Sequence, residues 1–135
     1  MTTAINLHEF LSDVDKFGRK TVPEKLTTLH RKIALQALEG VVNRTPVDTG
    51  RARGNWQTTT GRPAIGEVAG TDQDGGSTVA AGLVPLAGLE PFSSVWITNN
   101  VPYIEELEHG SSAQAPAGMV EVTAAGIAQQ FRSVK

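Results

Sequence analysis

Between Val22 and Val42 apolar side chains recur at helical spacing without a break: Val22, Leu26, Leu29, Ile33, Ala37 and Val41. Steps of three and four residues place them on one stripe of an α-helix. Leu35, Leu38 and Val42 widen that stripe, so the helix must bury itself against more than one neighbour, while Lys25, Thr28, Arg31, Lys32, Gln36 and Glu39 fill the wet side. Thr21 with Glu24 gives a start signal of the capping-box kind, and Pro23 suits a first turn. Pro46 disfavours helical geometry at Thr45 and donates no N–H, which ends the run. The reading is a helix over about 22–43, the longest in the chain, along which the rest of the fold has to be laid.

Upstream, Leu7, Phe10, Leu11, Val14 and Phe17 form a second stripe, with Asn6 and Glu9 as a capping box and Gly18 as a stop, which predicts a helix over about 6–17. Downstream, the β-favouring run Val95-Trp96-Ile97 is too short for a buried helix and fits a strand covered on both faces or paired in a hairpin. A strand over about 53–60 is the expected antiparallel partner of 94–98. The glycine-rich segment 61–76 reads as a mobile loop without apolar anchors, and 77–89 as a short helix broken by Gly82, Pro85 and Gly88. Asn99 and Asn100 turn the chain, Pro102 opens a one-to-two-turn helix carrying Tyr103, Ile104 and Leu107, and Gly110 suits the left-handed position after it. Val120, Thr123, Ile127, Phe131 and Val134 predict a last helix over about 117–132, although Val120-Glu121-Val122 also reads as a strand. The fold class is α+β: a small, mainly antiparallel sheet packed against the long helix, with additional N- and C-terminal helices.

The chain's 135 residues fit one domain, spanning 1–135. Twelve Lys and Arg against 14 Asp and Glu, a formal −2, remove a global electrostatic case for binding nucleic acid or an anionic membrane. With no cysteine, disulfides, thiolate zinc sites and a cysteine nucleophile are excluded. No apolar run approaches the roughly 20 residues that span a bilayer, so a non-secreted chain without a membrane span is expected. Aromatic residues make up 5% of the chain, too few for a core held by aromatic anchors, and self-assembly would supply the missing burial.

Three constellations invite a chemical reading. Asp48-Thr49-Gly50 is the triplet of aspartic proteases, and one copy per chain would require a dimer of the retroviral kind. The adjoining Arg51 and Arg53 favour instead a turn capped by Asp48 and an ion pair. Glu105 and His109 lie i, i+4 and offer two metal ligands, which is short of a site; solvated surface positions fit them better. Arg44, Arg51, Arg53 and Arg62 around Trp56 resemble a nucleic-acid patch with a stacking ring, against which stand ordinary ion pairs and a core tryptophan. No phosphate-binding glycine loop or nucleophile elbow occurs, so no cofactor and no metal are expected.

Taken together, Thr45-Pro46-Val47-Asp48-Thr49-Gly50-Arg51-Ala52-Arg53-Gly54-Asn55-Trp56, then Asn99-Asn100-Val101-Pro102-Tyr103 with Leu107-Glu108-His109-Gly110, then Gln114-Ala115-Pro116-Ala117-Gly118-Met119-Val120, resemble a known family. It is the tail-component or tail-completion (neck) proteins of long-tailed bacteriophages. Both motifs occur in the family's order, covering about 20–60 and 90–132, with Ala52, Ile104 and His109 as departures that touch packing. The resemblance implies a non-enzymatic structural protein of the virion, made in host cytoplasm, forming a homo-oligomeric ring at the head–tail junction. That ring would be hexameric and would join connector to tail tube or tail terminator, and DNA would pass through it without specific binding. Thr45, Pro46, Asp48, Thr49, Gly50, Arg51, Arg53, Trp56, Asn99, Asn100, Pro102, Tyr103, Leu107, Glu108, Gly110, Gln114, Pro116, Gly118 and Met119 would then be structural and interface residues. The alternatives from other classes are the protease dimer using Asp48 and a nucleic-acid-binding packaging factor.

Overall fold

A computed structural model describes residue 19 and residues 21–132. The helix expected over 6–17 lies outside the described residues. The long helix, α1, runs Val22–Arg44, and Thr45 leaves it in extended geometry (φ −71°, ψ 127°), as Pro46 requires. Its start differs from expectation. Thr21 is helical (φ −65°, ψ −47°) and its side chain caps nothing, while Arg19 and Thr21 belong to a wider π-type turn, so the helical path continues upstream of Val22.

The α+β class holds: after α1 come a one-turn helix α2 (Arg51–Gly54), strand β1 (Trp56–Thr60), helix α3 (Gly76–Ala87), strand β2 (Val95–Asn99), helix α4 (Ile104–Glu108) and helix α5 (Val120–Phe131). β1 and β2 pair antiparallel, with Trp56 opposite Asn99 and Thr60 opposite Val95. The expected pairing is present, but the strand begins at Trp56 instead of residue 53. The Gly54 N–H donates to the Gly50 carbonyl and the Asn55 side chain donates to that of Arg51, which closes a helical turn where the strand was expected.

Alternation along the strands puts Trp56, Thr58 and Ile97 on one face. Trp56 and Ile97 join the core that Leu38, Val41, Val42, Ala115 and Met119 build, with Ile104 and Leu107 of α4 packed against it. Trp96 falls on the opposite face and is 44% exposed. Of the two readings of Val95-Trp96-Ile97, a strand covered on both faces is therefore corrected: only a polar loop approaches the second face, where the side chains of Gln57 and Thr59 donate to the Gly66 and Arg62 carbonyls.

Three further corrections concern the helices. α3 is continuous over 12 residues, since Pro85 sits in its last turn and Gly82 is the point at which α3 touches Leu38 and Thr58. Arg31 is not on a wet side: its Nε donates to the Leu86 carbonyl at 2.8 Å, placing a cation at the C-terminal end of α3. Gln36 is likewise turned inward, its Oε1 buried without a hydrogen-bond partner. The last helix is present as expected, with Val120-Glu121-Val122 helical, and α5 starts at Val120, with Gly118 just before it at φ +84°. No helix among the described residues is long and apolar enough to cross a membrane.

Candidate functional site

The turn after α1 and the segment after β2 are far apart in sequence and meet in space. Thr45 sits at their junction: its hydroxyl donates to the Val41 carbonyl at 2.5 Å and accepts the Trp56 indole N–H at 2.7 Å, so the turn, the strand and α1 share one buried oxygen. Asn99 Nδ2 donates to the Ala52 carbonyl at 2.8 Å, and its Oδ1 accepts the Val101 N–H at 3.2 Å, which holds the chain in its turn toward Pro102. Gln114 ties residues 67 positions apart. Its Oε1 accepts the Val47 N–H at 2.9 Å and its Nε2 donates to the Val47 carbonyl at 3.2 Å, so one side-chain amide pairs with a peptide as a neighbouring strand would.

Glu108, on the last turn of α4, accepts three main-chain hydrogen bonds. Its carboxylate accepts the N–H groups of Met119 at 2.9 Å, Val120 at 2.8 Å and Glu121 at 3.1 Å, three of the donors that an α-helix leaves without partners at its start. Burial pushes this carboxyl up, and the three N–H groups together with neighbouring His109 outweigh that and hold it below the ordinary range. Gly118 allows the approach, since a Cβ there would meet the Glu108 carbonyl oxygen. Gly110, at φ +88°, ends α4 in the left-handed conformation expected of it. Its Cβ position is occupied by the Pro116 carbonyl, so the turns at 110 and 116 are in contact.

An open cleft of about 200 Å³ lies between the two segments, with Asp48, Arg51, Tyr103, Leu107 and Gln114 among its walls. The expected pairing of Asp48 with an arginine is not what forms. Arg51 pairs with Glu67 (Nη2 to Oε1, 2.6 Å) and lies over the Tyr103 ring at 5.7 Å. Arg53 donates to the carbonyls of Asn43 and Thr45, where α1 leaves acceptors unfilled, and to the carbonyl of Gln73 in the loop ahead of α3. The turn is held by Thr49, whose hydroxyl accepts the Arg51 N–H at 3.2 Å, and by Gly50, at φ +92°. Asp48 itself is exposed.

The other constellations are not assembled. Trp56 is buried and its indole is engaged by Thr45, so it presents no face for stacking, and Arg44 donates to Thr123 and the Gly40 carbonyl. Glu105 and His109 are both exposed, and among the described residues no group of three His, Asp or Glu side chains is placed to hold an ion.

Two important residues, Asn55 and Asp72, escaped the site reading of the sequence, and a third, Asn100, was read there as a turn and motif residue without its partners. Asn55, fully buried, pins the loop after β1 by bonding both main-chain groups of Val68. Asn100 pins the same loop at Ala64 and Gly66, so its anchors are polar rather than apolar. Asp72 accepts from Gly75 N, Thr78 N and Thr78 Oγ1 at 2.6–3.0 Å and caps α3. Its side-chain bond to Thr78, against the opposing effect of burial, holds its carboxyl far below the ordinary carboxylate range. An acid just ahead of Gly75-Gly76-Ser77-Thr78 was the available signal for that cap. Comparison with protein-family profiles, curated protein sequences and solved structures gives no match to this chain.

Proposed function

We propose that this chain is a structural component of the head–tail junction of a long-tailed bacteriophage, a neck or tail-completion protein that assembles into a ring in the virion. The observation that carries the reading is the convergence of the two segments on which the family resemblance rests. Gln114 pairs with Val47, and Asn99 with Ala52, so the motif residues fix the shape of one surface. Polar side chains there are spent on main-chain partners: Glu108 on α5, Arg53 on the end of α1, Asn99 on α2. A surface built in this way acts by fit, which is what a ring subunit needs.

Exposed apolar residues add support. Val84 is 75%, Phe92 77% and Ile65 95% exposed, side chains that contacts with neighbours in a ring would cover. The neighbours would be further copies, the connector on one side and the tail tube or its terminator on the other. DNA would pass through without being gripped, in keeping with a formal charge of −2.

The test is genetic and structural. Deleting the gene from its phage should leave filled heads beside separate tails, with joined particles restored by the protein supplied in trans, and electron microscopy of the junction should count one ring of it. Normally joined virions lacking the protein would refute the reading.

A further inference from the structure

The register of the sheet decides which way each main-chain group of β1 points. Thr60 stands opposite Val95, and the Gly61 N–H donates to the Ser94 carbonyl at 2.9 Å, so residues 61 and 94 form a hydrogen-bonded pair. Such pairs alternate along an antiparallel ladder. Gln57 and Thr59 therefore spend their N–H and C=O groups on β2, while Trp56, Thr58 and Thr60 turn theirs to the other side. No hydrogen bond among the described residues meets those outward groups.

Beyond that edge lies a slot of about 310 Å³. One wall is the loop segment 68–72, which the Asn55 side chain holds at Val68, and the other is α3. Small residues on both sides, Ala69 and Gly70 facing Ala81 and Gly82, leave room beside the strand. The Thr58 hydroxyl, among the groups lining the slot, is buried without a hydrogen-bond partner. A polar atom in that state is stabilised by whatever brings it a donor or an acceptor.

We infer that the β1 edge takes a third strand: an extended segment of another protein, free of any sheet of its own and carrying small, non-acidic side chains. The groups to be met recur at every second residue, about 7 Å apart, each a donor beside an acceptor, and a polypeptide backbone is the ligand that repeats both at that interval. The walls then limit its side chains. With alanine and glycine facing across the slot, Gly, Ala, Ser and Thr fit where longer side chains collide. Charge is set by Asp72, the one ionised side chain on the lining, which is already committed to Gly75 and Thr78, so an Asp or Glu in the segment is repelled.

The same walls keep out the sheet of a second copy. A strand of that sheet arrives with helices packed on it, and these meet the loop 68–72 and α3 before the two edges close to the roughly 4.8 Å of paired strands. A single extended tail or loop carries no such bulk. The inference goes beyond the ring reading and does not depend on it.

For the test, the full-length protein is offered a bead-bound library of random peptides, and the best binder is resynthesised with capped ends. Enriched sequences should share a run of Gly, Ala, Ser and Thr without Asp or Glu, and the bound peptide should slow amide hydrogen exchange at Thr58 and Thr60 by about tenfold or more. Two variants tie binding to the slot. T58P removes an outward N–H and leaves the ladder bonds of Gln57 and Thr59 in place, and A81Y fills the slot from an exposed position on α3. Each should weaken binding about tenfold, with exchange at Gln57 and Thr59 in the peptide-free variant reporting an intact sheet. If T58P disturbs the sheet, A81Y decides alone. Failure to enrich any sequence, or a binder indifferent to A81Y, overturns the inference. So does protection of Thr58 and Thr60 that rises with protein concentration alone, which would give the edge to a second copy.

Discussion

Replacing Glu108 with glutamine keeps the size of the side chain and removes its charge from the start of α5. The wild-type carboxylate serves three N–H groups at 2.8–3.1 Å. The glutamine has one acceptor oxygen, so at least one of those donors loses its partner, and the favourable charge at the helix start goes with it. A helix-start charge contributes about 0.3–1 kcal/mol and a lost cap about 0.5–2 kcal/mol, so E108Q should cost about 1.5 kcal/mol at pH 7. Scaled to a chain of this length, that is a fall in Tm of about 5–8 °C. The pH dependence separates this cause from simple loss of packing. Glu108 titrates below its ordinary range in the folded protein. Its contribution is therefore fully present above the unfolded value of about 4.3 and is lost as pH falls through the lower folded value. The gap between wild type and E108Q, read by urea denaturation from pH 7 down to pH 3, should narrow in that window, because a protonated Glu108 resembles the amide. A gap that is absent at pH 7, or that stays constant down to pH 3, would refute the capping account. Asp72 loses its own contribution in the same acid range, and being unchanged in both proteins it drops out of the difference.

Two glycines within helices should respond to alanine with opposite signs. G82A places a Cβ against Leu38 and 2.8 Å from the Thr58 hydroxyl, which should destabilise by about 1–2 kcal/mol despite better helix propensity, while G126A meets nothing within 4 Å and should stabilise by about 0.5–1 kcal/mol in thermal melts. W56F removes the indole donor to the buried Thr45 hydroxyl and part of a buried ring. A loss of about 2 kcal/mol by urea denaturation is expected, and a neutral result would show that Thr45 finds another partner.

What the sequence revealed and what it concealed divide along a physical line. α1 was legible because its stripe and its proline stop are local signals, and the β1–β2 pairing followed from two short β-favouring runs. α3 was misread as broken because Gly82 and Pro85 are poor helix formers in isolation; only the packed structure shows that Gly82 is where α3 meets Leu38. Trp96 was misjudged because a run of three apolar residues does not say which face of a strand is covered. The motif residues were named from a resemblance, but the partners of Glu108, Arg53 and Gln114 lie 8–67 positions away, and no local pattern encodes such a choice. Arg31 was assigned to solvent on helix periodicity alone, which is blind to a carbonyl offered 55 residues later.

The sheet carries one last consequence. Two strands leave two open edges, and an open edge is a template on which a copy of the same strand can add and a fibril can start. β1 is Trp56-Gln57-Thr58-Thr59-Thr60, and its one large apolar side chain is turned into the core. The edge therefore offers hydrogen bonds without the dry apolar interface that makes strand stacking persist. β2, with Val95, Trp96 and Ile97 in succession, is the more adhesive of the two, but it is only five residues long and runs into Asn100 and Pro102. The protein thus keeps its sheet short and its longer run of polar residues where uncontrolled stacking would begin, a safeguard of colloidal stability in a chain whose apolar residues remain partly on view.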